Sequence, residues 1–135
     1  MRHGVKTKKL GRTKSHREAT LRNLVRALFI HERIRTTLAK AKLAQRLAER
    51  LLSFSQTGTP AARRHVLSLL PDKQVVNKLF DDIGPRFKDR HGGCTRILRL
   101  GPRPADGSEM TFLELVERKE RVEKETKTKA KKKEK

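Results

Sequence analysis

Hydrophobic residues recur along the first two thirds of the chain with the period of an amphipathic helix. The first apolar stripe consists of Leu21, Leu24, Val25 and Leu28. Ser15 is followed three residues later by Glu18, a spacing in which each side chain satisfies a free backbone donor at a helix start. The pattern therefore predicts a first helix that begins at Ser15.

The run ERIRTT interrupts this pattern and predicts a short strand centred on Ile34. Thr37 can then cap a second helix, whose apolar face carries Ala44, Leu47, Ala48, Leu51 and Phe54. Its opposite face carries Lys42, Arg46 and Arg50. Like charges at four-residue spacing disfavour an isolated helix by about 0.2–0.5 kcal/mol per pair. This face therefore either meets phosphates or is solvated, with Glu49 as partial compensation.

Two further helices are predicted in the middle of the chain. Pro60 starts the third helix, because proline at the first helical position loses no hydrogen bond, and the helix runs to about Leu70. Asp72 can cap the fourth, and Gly84 with Pro85 should end it. The apolar stripe of the fourth helix consists of Val75, Val76, Leu79, Phe80 and Ile83.

The last part of the pattern is β-rich. The runs CTRILRL and EMTFLELVE are separated by the loop sequence GPRPADGS, which predicts a hairpin. In its second strand, Leu113 and Leu115 are expected to face the core, and Thr111, Glu114 and Glu117 to face solvent. Four helices and about three strands predict an α+β fold with the helices packed on one face of a small sheet.

Charge divides the chain into three parts. The 135 residues carry 35 Lys and Arg against 15 Asp and Glu, a net charge of +20. Residues 1–17 contain no acidic side chain, and residues 118–135 have a single large apolar residue, Val122. We predict a basic RNA-binding extension over 1–17, a single α+β domain over 18–117 and a disordered Lys/Glu-rich tail over 118–135.

A chain this basic repels itself unless a polyanion lies beside it, and nucleic acid is the favoured partner. An anionic membrane is disfavoured, because neither an apolar anchor nor a membrane-spanning run is present. The first residues lack the hydrophobic segment of a secretory signal. We therefore expect a cytoplasmic protein.

The sequence contains no arrangement that predicts catalysis, a metal or a cofactor. Cys94 is the only cysteine, and His91 beside it does not complete a zinc site. Ser15 and His16 have no carboxylate placed to orient the imidazole, and no glycine-rich nucleotide fingerprint occurs. We expect a protein that is not an enzyme and has no small-molecule substrate.

The mode of nucleic-acid binding follows from the aromatic content. The chain has no Trp and no Tyr, so recognition should depend on phosphates, sugars and RNA shape instead of base stacking. The N-terminal cations expected to contact RNA are Arg2, Lys6, Lys8, Lys9, Arg12, Lys14 and Arg17. In the first helix, Arg22 and Arg26 flank the apolar stripe.

A second basic region surrounds Gly92 and Gly93, where the missing β-carbons permit close approach by a ligand. Its cations are Arg86, Lys88, Arg90, Arg96 and Arg99. We expect RNA contact here, and the alternative is a hairpin lead-in with solvated arginines.

Three ordered motifs resemble the bacterial large-subunit ribosomal protein L-seventeen family. They are the N-terminal MRH, LGR and HREATLRNL, the central IRTTLAKAKLAQRLAERL, and the late LFDDIGPRFKDRHGGCTRIL. The similarity extends from Met1 to about Glu117. The resemblance implies an α+β, non-catalytic component of the large subunit that binds 23S-type ribosomal RNA beside neighbouring proteins near the peptide exit tunnel.

The resemblance also implies which residues contact RNA. The N-terminal motif supplies Arg2, His3, Lys8, Arg12, His16 and Arg17. The central motif supplies Thr36, Thr37, Lys40 and Lys42, and the late motif supplies Arg86, Arg90, Gly92, Gly93 and Arg96. A nucleoid-type protein that binds DNA non-specifically shares the same charge and stays open as the alternative.

Overall fold

The computed structural model describes residues 8–119. Residues 120–135 of the predicted tail (118–135) and the first seven residues of the chain lie outside this range. The helices are α1 (Lys14–His31), α2 (Leu38–Thr57), α3 (Pro60–Leu69) and α4, which comprises an α-helical segment (Lys73–Lys78), a π-helical segment (Leu79–Ile83) and a final turn (Gly84–Arg86). The strands are β1 (Arg33–Thr37), β2 (Thr95–Pro102) and β3 (Glu109–Leu115). The predicted α+β fold is confirmed.

The three strands form one antiparallel sheet in the order β1-β3-β2. Leu113 of β3 pairs with Ile34 of β1 on one side and Ile97 of β2 on the other, and all three belong to the hydrophobic core. Helices α1 and α2 pack on this inner face. The other face, called the outer sheet face below, carries Arg33, Arg35, Arg96, Leu98, Phe112 and Glu114.

The start of α1 differs from the prediction. The helix begins at Lys14 with Thr13 at the N-cap position, so Ser15 already lies within the first turn and cannot cap it. The predicted capping by Ser15 and Glu18 is therefore wrong, and residues 14–17 belong to the folded domain. At α3 the predicted start is confirmed, because the Thr59 hydroxyl accepts a hydrogen bond from the Ala62 amide.

Helix α4 continues beyond Gly84 and Pro85, where the sequence predicted its end. Its wider π-helical segment lets the Gly84 amide donate to the Leu79 carbonyl, five residues earlier. The register shift accommodates Pro85, which has no amide hydrogen of its own. Gly84 also packs against α2, where an added Cβ would lie 3.0 Å from Ser55 Oγ. The helix therefore ends only at Arg86.

The burial of β3 corrects two further predictions. Thr111 lies on the same face as Leu113, as a two-residue period requires, and it is fully buried. Its hydroxyl donates to the Thr36 carbonyl at 3.1 Å. Glu114 lies on the outer sheet face but is also buried, because Arg33 and Arg96 cover it. The prediction that Thr111 and Glu114 face solvent was therefore wrong.

Two residues at the start of the predicted tail contact the sheet and the end of α1. The sequence assigned Arg118 and Lys119 to the tail, but both contact the domain. Arg118 Nη1 lies 3.6 Å from a carboxylate oxygen of Glu114, and the Lys119 amide donates to Glu32 at 2.8 Å. These two residues are held by ion pairing and a backbone hydrogen bond.

Candidate nucleic-acid interface

A tight turn connects the basic N-terminal segment to α1. The Arg12 amide donates to the Lys9 carbonyl at 3.1 Å, and the two residues between them, Leu10 and Gly11, both have positive φ angles. Glycine adopts this backbone conformation without strain. Lys8 and Lys9 are exposed at the turn. The predicted contacts Arg2, His3 and Lys6 lie outside the described residues.

The N-terminal cations continue onto α1. Lys14 and His16 are exposed, and Arg17 is half-buried. Arg12 Nε donates to His16 Nε2 at 3.4 Å, so these two predicted contacts lie side by side. Arg22, further along α1, is exposed.

Arg26 has a structural partner that the sequence did not indicate. Its Nε donates to Asp72 Oδ2 at 2.6 Å, which ties α1 to the start of α4. Asp72 also accepts from the Val75 amide. The hydrogen bonds from Val75 and from Arg26 lower the pKa of the Asp72 carboxyl. The Arg26 side chain nevertheless keeps about half of its surface exposed.

A groove of about 540 Å³ lies between α1, α2 and the end of α3. Its apolar lining consists of Leu21, Leu43, Leu47 and Leu69. Its charged lining consists of Glu18, Arg22, Arg46 and Arg50. Arg22 of α1 thus shares one groove with two cations of the exposed row Lys42, Arg46 and Arg50. We call this groove and row the helical face.

The residues of the central motif fall into two groups, those that are buried in the fold and those that are exposed at the surface. Thr36 is buried in the sheet, and its carbonyl accepts the Thr111 hydroxyl. Thr37 occupies the N-cap position of α2, as predicted, but its side chain makes no capping hydrogen bond. Lys40 is half-buried and Lys42 is exposed. Lys42 is therefore the member of this motif best placed to meet a partner.

The loop between α4 and β2 is anchored to α2 by two polar side chains. Gln56 Nε2 donates to the carbonyls of Phe87 at 2.8 Å and Arg90 at 2.9 Å. The Glu49 carboxylate accepts the amides of Cys94 at 3.3 Å and Thr95 at 2.7 Å. Glu49 of α2 therefore positions the loop.

Only part of the predicted cation cluster assembles around the paired glycines. Lys88 and Arg90 are exposed on the loop, and Arg90 Nε donates to the Gly93 carbonyl at 3.1 Å. Gly92 and Gly93 are exposed with φ angles of 87° and 61°. Their left-handed conformation turns the loop into β2.

The other arginines of the late region lie elsewhere. Arg96 pairs with Glu114 on the outer sheet face. Arg99 is largely exposed, with Nη1 at 3.9 Å from Glu109 Oε1. Arg86 is paired with Glu32, at the end of α1. The structure therefore distributes the five predicted cations over four places.

The contact between Arg86 and Glu32 is the most enclosed of these ion pairs. Two guanidinium nitrogens of Arg86 donate to the two carboxylate oxygens at 2.7 and 3.0 Å, and the side chains are only 17% and 9% exposed. Burial by itself raises the pKa of Glu32, but the hydrogen bonds from Arg86 and the Lys119 amide outweigh it, so that the pKa lies below its ordinary value. Arg86 thereby joins α4 to the end of α1.

The sequence analysis missed three cations of the outer sheet face, Arg33, Arg35 and Arg118. Arg33 and Arg35 of β1 lie there with Arg96, and Arg118 packs beside them. The signal was present in ERIRTT, because Arg33 and Arg35 alternate with the core residue Ile34.

Residues 8–119 offer neither a metal site nor a membrane-spanning helix. In that part of the chain, no three His, Cys, Asp or Glu side chains are grouped so that they could hold a metal ion. No helix there is both long enough and apolar enough to span a membrane.

The distribution of cations and the fold, which has one sheet and four helices within residues 8–119, define a small basic α+β protein. Comparison with known families places it further. The chain matches the family described as Ribosomal protein L17 over residues 20–116, which is more than half of its length. It therefore belongs to the ribosomal protein L17 family, as the three motifs predicted.

Several relatives named "Large ribosomal subunit protein bL17" share about half of their residues with this chain. The protein of Natranaerobius thermophilus is 52% identical over 110 residues, covering 82% of this chain and 97% of the relative. That of Geobacter sulfurreducens is 49% identical, covering 94% and 71%. That of Clostridioides difficile is 47% identical, covering 83% and 99%.

Proposed function

We propose that this chain is a non-catalytic, structural component of the bacterial large ribosomal subunit and acts in the cytoplasm. We propose further that it binds 23S-type ribosomal RNA through phosphate, sugar and shape contacts, beside neighbouring proteins near the peptide exit tunnel. Membership of the L17 family supports the ribosomal role, because relatives that cover most of the chain carry the name of a large-subunit protein.

The helical face is the observation that carries RNA binding. Lys42, Arg46 and Arg50 are exposed at successive four-residue steps, which places them about 6 Å apart along the axis of α2. Arg22 faces the same groove from α1. Such a row disfavours the isolated helix, and phosphates along an RNA strand would remove the repulsion.

Two further parts would complete the interface. The basic segment ahead of α1 supplies exposed Lys8 and Lys9, and the loop before β2 supplies exposed Lys88 and Arg90 beside Gly92. Gln56 and Glu49 hold that loop in place, so its cations are pre-positioned. In this proposal Arg86 acts mainly within the protein, because its guanidinium is engaged by Glu32.

Substitutions on the helical face test the proposal. We expect Lys42→Ala and Arg50→Ala each to reduce the magnitude of the log–log salt slope of binding to large-subunit ribosomal RNA by about 0.7 to 0.9, because each removes one phosphate contact. The double variant should show a reduction in salt slope equal to the sum of the two single reductions. Binding is measured with the full chain over a series of salt concentrations.

The matched control is Arg64→Ala, which removes an exposed cation from α3 that does not line the groove. We expect this variant to keep the slope of the unaltered chain. Equal effects from Arg64→Ala and Arg50→Ala would contradict the assignment of the helical face, because any loss of charge would then suffice.

A further inference from the structure

One carboxylate on the outer sheet face is surrounded by three arginines. Glu114 lies in the central strand β3, and the sheet register pairs it with Arg33 of β1 and Arg96 of β2. Arg118 approaches from the segment that follows β3. The Glu114 side chain is 2% exposed, so its negative charge lies beneath the guanidinium groups.

The contacts of this cluster hold each arginine in a defined position. Arg96 donates from Nε to Glu114 Oε1 at 3.0 Å, and its Nη2 contacts the same oxygen. Arg33 Nε lies 3.4 Å from Glu114 Oε2, and Arg118 Nη1 lies 3.6 Å from that atom. The Arg33 guanidinium also stacks over the Phe112 ring, 3.6 Å from its centroid. Three cations therefore share one anion, and one of them, Arg33, also contacts an aromatic ring.

The cluster has more hydrogen-bond donors than the protein satisfies. Within residues 8–119, the buried atoms Arg33 Nε, Arg118 Nε and Glu114 Oε2 have no hydrogen-bond partner. The side chains of Arg33 and Arg96 are 36% and 40% exposed, so the donors that do not face Glu114 are accessible from outside. Three guanidinium groups around one carboxylate leave an excess of two positive charges at one point of the surface, which calls for an anion.

We infer that the outer sheet face binds a phosphate of RNA between Arg33, Arg96 and Arg118, with Glu114 as the positioning residue beneath them. This inference rests on the proposed function, since it adds a second RNA contact on the side of the sheet opposite the helices. Arginine forks match the geometry of phosphate oxygens. Exposed Arg35 extends the positive surface along β1.

RNA fits this surface better than an acidic peptide does. The chain carries a net charge of +20, so its partner must supply negative charge over much of the surface, and a nucleic-acid backbone does this at every residue. A peptide that extended the sheet would pair with the edge strands β1 or β2, whereas the arginines project from the face.

Arg33→Ala is the variant that tests the inference, because Arg96 stays in place to pair the buried carboxylate. In the full chain we expect binding to large-subunit ribosomal RNA to weaken on the order of fivefold at about 0.1 M salt, with a salt slope smaller by about 0.7 to 0.9. Arg33→Lys should restore the salt slope but only part of the affinity. Lysine keeps the positive charge but lacks the planar guanidinium group that can donate two parallel hydrogen bonds to a phosphate.

Glu114→Gln tests the positioning role separately. This variant raises the net positive charge, so a carboxylate that merely repelled RNA would give tighter binding when removed. We expect weaker binding instead, because the arginines lose the group that holds them. Thermal unfolding of each variant shows whether the domain is still folded, and Arg33→Ala, at a partly exposed position, gives the decisive comparison if Glu114→Gln does not fold.

Hydroxyl-radical footprints on the RNA give the second readout. Arg33→Ala should expose nucleotides different from those exposed by Lys42→Ala, because the two residues lie on separate surfaces.

Failure of the unaltered chain to bind ribosomal RNA would overturn the proposed function as well as this inference. If the unaltered chain binds but Arg33→Ala behaves like Arg64→Ala, only the inference is overturned. Unchanged RNA binding with reduced incorporation into reconstituted subunits would assign the face to a protein partner and would also overturn it.

Discussion

A chain that lacks residues 2–12 is expected to bind large-subunit ribosomal RNA about 10³- to 10⁴-fold more weakly than the full chain at about 0.1 M salt. The deleted segment contains five cations and no acidic residue. If each cation meets a phosphate, the magnitude of the log–log salt slope should fall by about 4. Binding over a salt series measures both quantities.

The deletion is chosen so that the folded domain is not altered. Helix α1 begins at Lys14 and Thr13 is its N-cap, and both residues are kept. A full-length variant with glutamine at Arg2, Lys6, Lys8, Lys9 and Arg12 is the matched control, because it keeps the segment and removes only its charge. We expect the salt slope of this variant to fall by most of the amount expected for the deletion. A deletion variant with the slope of the full chain would show that the segment does not contact phosphates.

Arg86→Ala is expected to lower the free energy of unfolding by about 3 to 5 kcal/mol, because it leaves the Glu32 carboxylate buried without its main partner. Glu32 lies at the end of α1 in a left-handed conformation, with φ of 59°. Arg86 also donates to the Glu117 carbonyl at 2.9 Å. One side chain thus connects α1, α4 and the segment after β3, and urea unfolding measures the loss.

The matched control is an ion pair at the surface. Asp81→Ala removes the contact of Asp81 with Arg63, but the Asp81 side chain is 66% exposed, and exposed pairs contribute about 0 to 1 kcal/mol. A loss of less than about 1 kcal/mol for Arg86→Ala would contradict the structural role of the enclosed pair.

The same pair predicts a dependence of stability on pH. The pKa of Glu32 is lower in the folded chain than its ordinary value of 4.5. The stabilisation is therefore complete above pH 4.5 and is lost as the pH falls through the folded pKa. Glu32→Gln should remove this part of the acid sensitivity, which urea unfolding at a series of pH values would show.

Local patterns predicted the elements that local interactions determine. The apolar stripes located all four helices, and Asp72 caps α4 through hydrogen bonds from the Gln74 and Val75 amides. The alternating runs located the hairpin of β2 and β3. In each case the residues that fix the element lie within a few positions of one another.

The charged contacts could not be predicted, because their partners are distant in the sequence. Glu32 finds Arg86 54 residues later, and Glu49 finds the Thr95 amide 46 residues later. Glu114 is buried only because Arg33 of β1 and Arg96 of β2 lie on either side of it. The sequence predicted RNA contact for Arg86 and Arg96 and solvent exposure for Glu114, whereas in the structure all three form ion pairs within the protein.

The candidate interface could also be predicted only in part. The spacing of Lys42, Arg46 and Arg50 placed them on one helical face, and the structure adds Arg22 across the groove. The cations around Gly92 and Gly93 were predicted as one cluster, but Arg96 follows β2 onto the outer sheet face. The periodicity within one helix or strand predicted which side chains share a face. The path of the chain from one element to the next could not be predicted in this way.

Competition between large-subunit ribosomal RNA and duplex DNA tests the central proposal most directly. The full chain is mixed with labelled ribosomal RNA, and unlabelled DNA of equal phosphate concentration is added at several salt concentrations, since the electrostatic part of binding depends on salt. We predict that DNA does not displace the RNA at any salt concentration at which the RNA alone binds, and that the preference for RNA over DNA grows as the non-specific electrostatic part is screened. Equal or stronger binding of DNA would contradict the proposal and would indicate a nucleoid-type DNA-binding protein.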